Sequence, residues 1–268
     1  EITTRLVGSE MCIRDRDTYM GINSRKVVVV GCGFVGSSSA FALMQSQLFS
    51  EMVLIDADQK RAEGEAIDIS HGMVFASPMK IYAGTYDDIS DAAVIVITAG
   101  ANQKPDETRL DLIKKNSRIM KSIVGEIKKR EFEGILLIVS NPVDILTYIA
   151  QKEFNYPRNL LIGTGTLLDT ARFNKMLADL CGVDAKNVTG FVLGEHGGTS
   201  FIPWNAVNIV GIPFHDFQKQ FGLKEPVDCE KLLHEVKVSG LDIVELKGYT
   251  SSGIALSVCR LVGAIMRN

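Results

Sequence analysis

From Arg25 onward, short apolar runs alternate with longer stretches in which apolar side chains recur every three to four positions. A short apolar run bounded by polar residues fits a strand buried on both faces, and the longer recurrence fits a helix with one buried stripe. Strands are therefore expected at 26–30, 52–55, 80–82, 93–97, 135–139 and 160–162, with helices at 35–47, 60–72, 108–130 and 143–152. Strand–helix alternation of this kind builds a parallel sheet covered on both sides. After Gly163 the pattern changes to a helix running to about Cys181, a strand near 188–193, and two helices at about 229–247 and 250–266. No internal repeat or low-complexity linker intervenes, so the join near Gly163 is expected to be continuous.

The expected fold class is thus α/β, a doubly wound parallel sheet over residues 25–163 followed by an α+β domain over 164–268. Residues 1–24 do not share the pattern: they are polar, lack periodicity and have no apolar signal-peptide core. The stretch Leu6-Val-Gly-Ser-Glu-Met-Cys-Ile-Arg-Asp-Arg16 resembles translated sequencing-adaptor DNA, so this segment is expected to be artefactual, disordered or loosely attached. The 29 basic and 32 acidic residues leave a net charge of −3, which gives no electrostatic reason to expect a nucleic-acid partner. The run Lys128-Lys129-Arg130 ends a predicted helix, where cations suit the macrodipole. No apolar stretch approaches the length of a membrane span, so no membrane association is expected. The cysteines (Cys12, Cys32, Cys181, Cys229, Cys259) are widely spaced without a C-x-x-C, which fits reduced thiols in a cytoplasmic protein and no metal site.

Chemistry enters at Val27-Val-Val-Val-Gly31-Cys-Gly33-Phe34-Val35-Gly36, a G-x-G-x-x-G directly between a predicted strand and a predicted helix. In a Rossmann dinucleotide site the first glycine makes the tight turn, the second lets the pyrophosphate approach backbone, and the third lets helix and strand pack closely. Asp56, twenty residues beyond Gly36 at the end of the second strand, can accept hydrogen bonds from a ribose hydroxyl and repel a 2′-phosphate. That favours NAD over NADP; the plainer reading is a turn residue near Asp58. Thr98-Ala99-Gly100 ends the fourth strand, where strand order reverses and open sheets bind ligands, or it simply begins a loop.

Downstream, Asp169 and Arg172 lie one turn apart on a predicted helix, and His196 sits in the glycine-flanked tetrad Gly194-Glu195-His196-Gly197. Reduction of a 2-oxo acid by hydride needs a proton source, a polarised carbonyl, a held carboxylate and exclusion of water. Histidine suits the first because it titrates near neutrality, and arginine suits the third because its planar fork binds carboxylate bidentately. Each residue also has an ordinary explanation. His196 can be a satisfied turn residue, Asp169 a first-turn carboxylate in a helix capped by Thr166, and Arg172 its i+3 ion partner. His71, His215 and His234 lack comparable surroundings and are read as helix-surface or loop residues.

From about Arg25 to its end the chain resembles the L-lactate dehydrogenase branch of the lactate/malate dehydrogenase family. The resemblance rests on VVVVGCGFVG, ANQKPDETRLDL, VSNPVD, GTGTLLDTARF, GEHG and LKGYTSSGIAL, in family order. It implies a cofactor site at Gly31, Gly33, Phe34, Val35, Gly36, Asp56, Thr98, Ala99, Gly100 and Asn141, with NAD as cofactor. It implies His196 as proton donor and acceptor, Asp169 as the group that orients it, and Arg172 as the substrate-carboxylate clamp. Arg109 matches the loop arginine that polarises the carbonyl, Asn141 the asparagine near the substrate oxygen, and Thr250 a pocket-wall residue. Gln103 stands where malate enzymes carry arginine, so a neutral side chain there points to pyruvate and lactate rather than to oxaloacetate and malate. The resemblance further implies a small 2-oxo or 2-hydroxy acid substrate, a homotetramer, and a place in glycolysis and pyruvate fermentation.

Departures from the family pattern are Gly198, where aspartate is usual, and Asp106, where glycine is usual. Asn174 and Thr189 stand where enzymes activated by fructose 1,6-bisphosphate carry arginine and histidine, so no such activation is expected. The family continues several tens of residues beyond the position matching Asn268, so the second domain is expected to be incomplete.

Overall fold

The computed structural model describes residues 22–101, 108–221 and 226–267. The expectations for residues 1–21, Cys12, Gln103 and Asp106 lie outside them. So does the side chain of Arg109, although its backbone is described. The chain forms two compact units, one of residues through Gly163 together with those from Ile254, the other Thr164–Gly253.

The first unit is a six-stranded, wholly parallel sheet of β1 (Asn23–Val30), β2 (Glu51–Ile55), β3 (Lys80–Ala83), β4 (Ala92–Ile97), β5 (Ile135–Ile138) and β6 (Leu161–Gly163). Their order is β3-β2-β1-β4-β5-β6, so the direction of winding reverses between β1 and β4. The strands are near-continuous apolar runs because both faces are covered. Val28, Val53, Ile95 and Leu136 turn to one face and pack with Met120, Val124 and Ile127 of α3 (Arg109–Lys129) and Leu146 of α4 (Val143–Phe154). Val27, Val29, Leu54 and Val96 turn to the other, against Leu43 of α1 (Phe34–Gln45) and Ala62 and Ala66 of α2 (Gln59–His71). Each such fully buried aliphatic side chain contributes about 1.5–3 kcal/mol relative to exposure. The last helix, α8 (Ser252–Arg267), places Val258 and Val262 on that second face. From Ile254 the apolar stripe of α8 packs with the first unit.

The second unit holds α5 (Leu167–Cys181), α6 (Phe214–Phe221) and α7 (Cys229–Lys247) with a small antiparallel sheet of β7 (Val188–Thr189), β8 (Asn208–Ile209) and β9 (Ile212–Pro213). Its core gathers Phe173, Leu177, Val192, Ile209, Phe214 and Val236. The strand expected over 188–193 stops at Thr189. Its continuation fails because helix side chains already satisfy the backbone of Val192: Thr170 Oγ1 accepts from its N–H at 2.9 Å, and Thr166 Oγ1 donates to its carbonyl at 2.6 Å. The β8–β9 hairpin and α6 were not foreseen. The hairpin turns through Val210 (φ 53°) and Gly211 (φ 79°), both in the left-handed region that two-residue turns of this type require.

Candidate active site

In the first unit, the ends of β1, β4 and β5 meet where the strand order reverses. Gly31 (φ 100°) makes the turn out of β1, and a side chain there would collide with the backbone of Ala99. Gly36 is packed so closely that a Cβ would lie 1.8 Å from the Gly31 carbonyl oxygen. Gly33, by contrast, has nothing among the described residues within 4 Å of the position its Cβ would take. It is also the N-cap of α1 and offers no side chain to the first-turn amides. Phe34 is exposed and Val35 half-buried on that first turn.

The carboxylate of Asp56 braces this loop: Oδ2 accepts from the Cys32 N–H at 2.6 Å and Oδ1 from the Asp58 N–H at 2.8 Å. The turn-residue reading of Asp56 is therefore partly realised, yet each carboxylate oxygen keeps further acceptor capacity. Asp58 caps α2 itself, accepting from the Arg61 N–H. Burial pushes the Cys32 thiol up to about 12, with the Asp56 charge adding to the effect, so it stays a neutral apolar filler beneath the loop.

Thr98 Oγ1 donates to the Gly31 carbonyl at 2.8 Å, and Ser140 Oγ donates to the Ala99 carbonyl at 2.7 Å. Gly100 is exposed, as is Asn141, which precedes Pro142 through a cis peptide bond. Arg109 is the first residue of α3, whose start is fixed by a capping box in which Thr108 Oγ1 donates to Asp111 Oδ2 at 2.6 Å. These hydrogen bonds hold the Asp111 carboxyl below its usual range.

These features fit a dinucleotide. They comprise a backbone turn no side chain obstructs at Gly33, an uncapped helix N-terminus beside it, and a carboxylate at the end of the second strand.

In the second unit, α5 carries Asp169 on its buried stripe, in line with Phe173 and Leu177, where an apolar residue would ordinarily stand. The Asp169 side chain is only 6 % exposed and is shared by two partners. Arg172 Nη1 donates to its Oδ1 at 3.1 Å, and His196 Nδ1 lies 2.6 Å from its Oδ2. A carboxylate accepting at Nδ1 puts the ring hydrogen there and makes Nε2 the proton-exchanging atom.

The loop bearing His196 is closed at its base, where Leu193 and Phe201 exchange backbone hydrogen bonds at 2.9 Å. Gly194 (φ 94°) turns the chain at that point, and the Gly197 and Gly198 carbonyls accept from Ser200 Oγ and Lys237 Nζ. Gly198, the departure from the family pattern, is thus tied to α7 through its backbone.

Thr166 is the N-cap of α5 but makes no capping hydrogen bond; its hydroxyl turns to Val192 instead. The capped-helix explanation of Asp169 therefore fails, whereas the Arg172 ion pair is present as part of the cluster. Opposite the guanidinium, α7 presents Gly240, whose Cβ would lie 3.5 Å from Arg172 Nη2. Thr250 is half-buried after α7, and His71, His215 and His234 are exposed on helices.

Sequence reasoning missed Asn116 on α3, a buried amide bonded to the backbone of both Ala101 and Asn141. Its signal was a polar residue in register with the apolar stripe of Met120, Ile123 and Ile127. Among the described residues, no group of three or more His, Cys, Asp or Glu side chains is placed to hold a metal ion, and no helix is long and apolar enough to cross a membrane.

The L-lactate dehydrogenase of Acetivibrio thermocellus is 47% identical over 245 residues, covering 91% of this chain and 77% of that protein. L-lactate dehydrogenase 2 of Clostridium acetobutylicum is 49% identical over 253 residues, covering 93% and 79%. The crystal structure of the minor L-lactate dehydrogenase from Enterococcus mundtii, in a ligands-bound form, superposes with a TM-score of 0.88 at 42% identity, covering 92% of this chain and 79% of that one. Residues 25–163 match the profile of the lactate/malate dehydrogenase NAD binding domain, and residues 166–268 that of the alpha/beta C-terminal domain. The chain belongs to the lactate/malate dehydrogenase family.

Proposed function

We propose that this chain is an NAD-dependent L-lactate dehydrogenase that interconverts pyruvate and L-lactate. The observation that carries the reading is the buried Asp169 carboxylate shared between His196 at 2.6 Å and Arg172 at 3.1 Å. In the second unit it joins a proton-transfer group to a carboxylate clamp, and the first unit carries a dinucleotide loop. When bound, the nicotinamide supplies the hydride that reduces the 2-oxo group.

The remaining work falls to side chains of this protein. His196 Nε2 gives its proton to the substrate oxygen in reduction and takes one in oxidation, while Asp169 holds the ring through Nδ1 and offsets the imidazolium charge. Arg172 spends one nitrogen on Asp169 and presents the rest of its fork to the substrate carboxylate. Arg109 polarises the carbonyl oxygen, Asn141 hydrogen-bonds near it, and Thr250 forms pocket wall. Gly31, Gly33, Phe34, Val35, Gly36, Asp56, Thr98, Ala99 and Gly100 hold the cofactor. The neutral Gln103 leaves a second substrate carboxylate unpaired, which is costly in a desolvated pocket and favours pyruvate over oxaloacetate.

Replacing His196 with Asn should lower turnover by about a hundredfold or more while NADH binding persists. Unchanged turnover would remove the proposal.

A second substrate preference, for 2-oxo acids with longer side chains, is favoured by Gly240, which offers backbone rather than a side chain beside Arg172. Comparing kcat/KM for pyruvate, oxaloacetate and a branched 2-oxo acid decides between them. We also place the protein in the cytoplasm as a homotetramer in pyruvate fermentation, on the family likeness alone; light scattering tests the assembly.

A further inference from the structure

We infer that Asn116 is a positioning residue that sets Asn141 in the segment following β5. Asn116 is only 3% exposed, and its side chain reaches across to the segments that follow β4 and β5. Its Oδ1 accepts from the Ala101 N–H at 2.8 Å, and its Nδ2 donates to the Ala101 carbonyl at 3.2 Å and to the Asn141 carbonyl at 2.8 Å.

Ala101 continues β4 and Asn141 continues β5, two segments that share no backbone ladder at these positions. Beyond the Ser140 Oγ bond to the Ala99 carbonyl, the Asn116 side chain takes the place of the missing ladder. The task needs an acceptor and two donors at short reach, which among the common side chains asparagine supplies and aspartate or leucine of similar size does not. Asn116 also lies two turns along the helix that begins at Arg109. The same buried anchor thus fixes Asn141 directly, and it stands on the element that carries Arg109.

The hydrogen bonds of Asn116 go to the backbone of Ala101 and Asn141, so it acts through Asn141. This inference rests on the proposed role of the Asn141 side chain near the reacting oxygen.

The test is a double-mutant cycle on the full chain, with kcat, KM for pyruvate, NADH affinity by fluorescence, and thermal unfolding measured for each variant. Asn116→Asp keeps the acceptor but sets a carboxylate oxygen against two carbonyls. It is expected to lower kcat by roughly ten- to a hundredfold, with a much smaller change in NADH affinity, as for other misplacements of about an ångström. Asn116→Ser, which keeps a donor in a smaller volume, provides the same measurement if the aspartate variant does not fold. In an Asn141→Ala background the Asn116 substitution should cost little further kcat, because the side chain it positions is gone. Additive losses, or an Asn116 variant that loses melting temperature but keeps kcat, would overturn the positioning role. If Asn141→Ala itself leaves kcat intact, the failure lies in the proposed role of Asn141.

Discussion

In the first unit, the groups proposed to receive a dinucleotide are mostly main chain: the turn at Gly31, the backbone at Gly33 and the first turn of α1. Side chains such as Asp56, Thr98 and Ser140 act behind them as braces on backbone. In the second unit the arrangement is inverted. Backbone there serves as the brace, through Val192 and the Leu193–Phe201 pairing, and three ionisable side chains form the proposed site. Main-chain groups recognise what is common to every turnover, a pyrophosphate and a ribose, and need only shape. Proton transfer needs a group that changes charge, which the backbone does not provide. The two regions should therefore fail differently, one through added atoms and the other through altered charge.

The largest contrast is expected for Asp169→Asn, which keeps volume but removes the negative charge and one of the two acceptor oxygens shared by His196 and Arg172. Turnover should fall by about a hundred- to ten-thousandfold, with NADH affinity nearly unchanged in a fluorescence titration. A small effect would mean that His196 does not depend on the buried carboxylate.

Next is Gly36→Ala. A methyl group 1.8 Å from a carbonyl oxygen forces backbone apart and should destabilise the fold by about 3 kcal/mol or more, read as a clear fall in denaturation midpoint.

Gly33→Ala sharpens the comparison, because nothing lies within 4 Å of its Cβ position and its φ of −76° suits alanine. Stability should change by no more than about 0.5 kcal/mol, while NADH affinity falls. Equal affinity would remove Gly33 from the cofactor surface.

The smallest effect is expected at Val210, a β-branched residue held at φ 53°. Val210→Asn should raise stability by about 0.5–1 kcal/mol without altering either site.

Much of the first unit was legible in the sequence because its determinants are local. Four valines followed by spaced glycines fix a strand, a turn and a helix start within ten residues, and Asp56 follows at the end of the next strand. The cluster was legible only in part. Asp169 and Arg172 share a helix turn, but the contact of Asp169 with His196 spans 27 residues and follows from no periodicity. It was anticipated from the chemistry required and from the family likeness.

The strand expected over 188–193 was misread because apolar spacing does not reveal that two threonine hydroxyls occupy Val192. The β8–β9 hairpin was invisible because two-residue strands carry no period. Asn116 escaped notice for a subtler reason. A single amide among charged neighbours looks like helix surface until its register with Met120, Ile123 and Ile127 is traced. Asp169 shows the same sign, a polar group at the head of an apolar stripe, and the two cases together make that sign worth seeking.

The hydroxyls of Thr166 and Thr170 have a consequence for how this site tolerates error. They hang the chain leading to His196 from the same helix that carries Asp169 and Arg172, so the proposed proton donor, orienting carboxylate and clamp share one frame of reference. A displacement of α5 changes where that frame points but not the spacing within it. In the proposed reaction, alignment with a substrate thus becomes a matter of aiming one linked group rather than three independent parts.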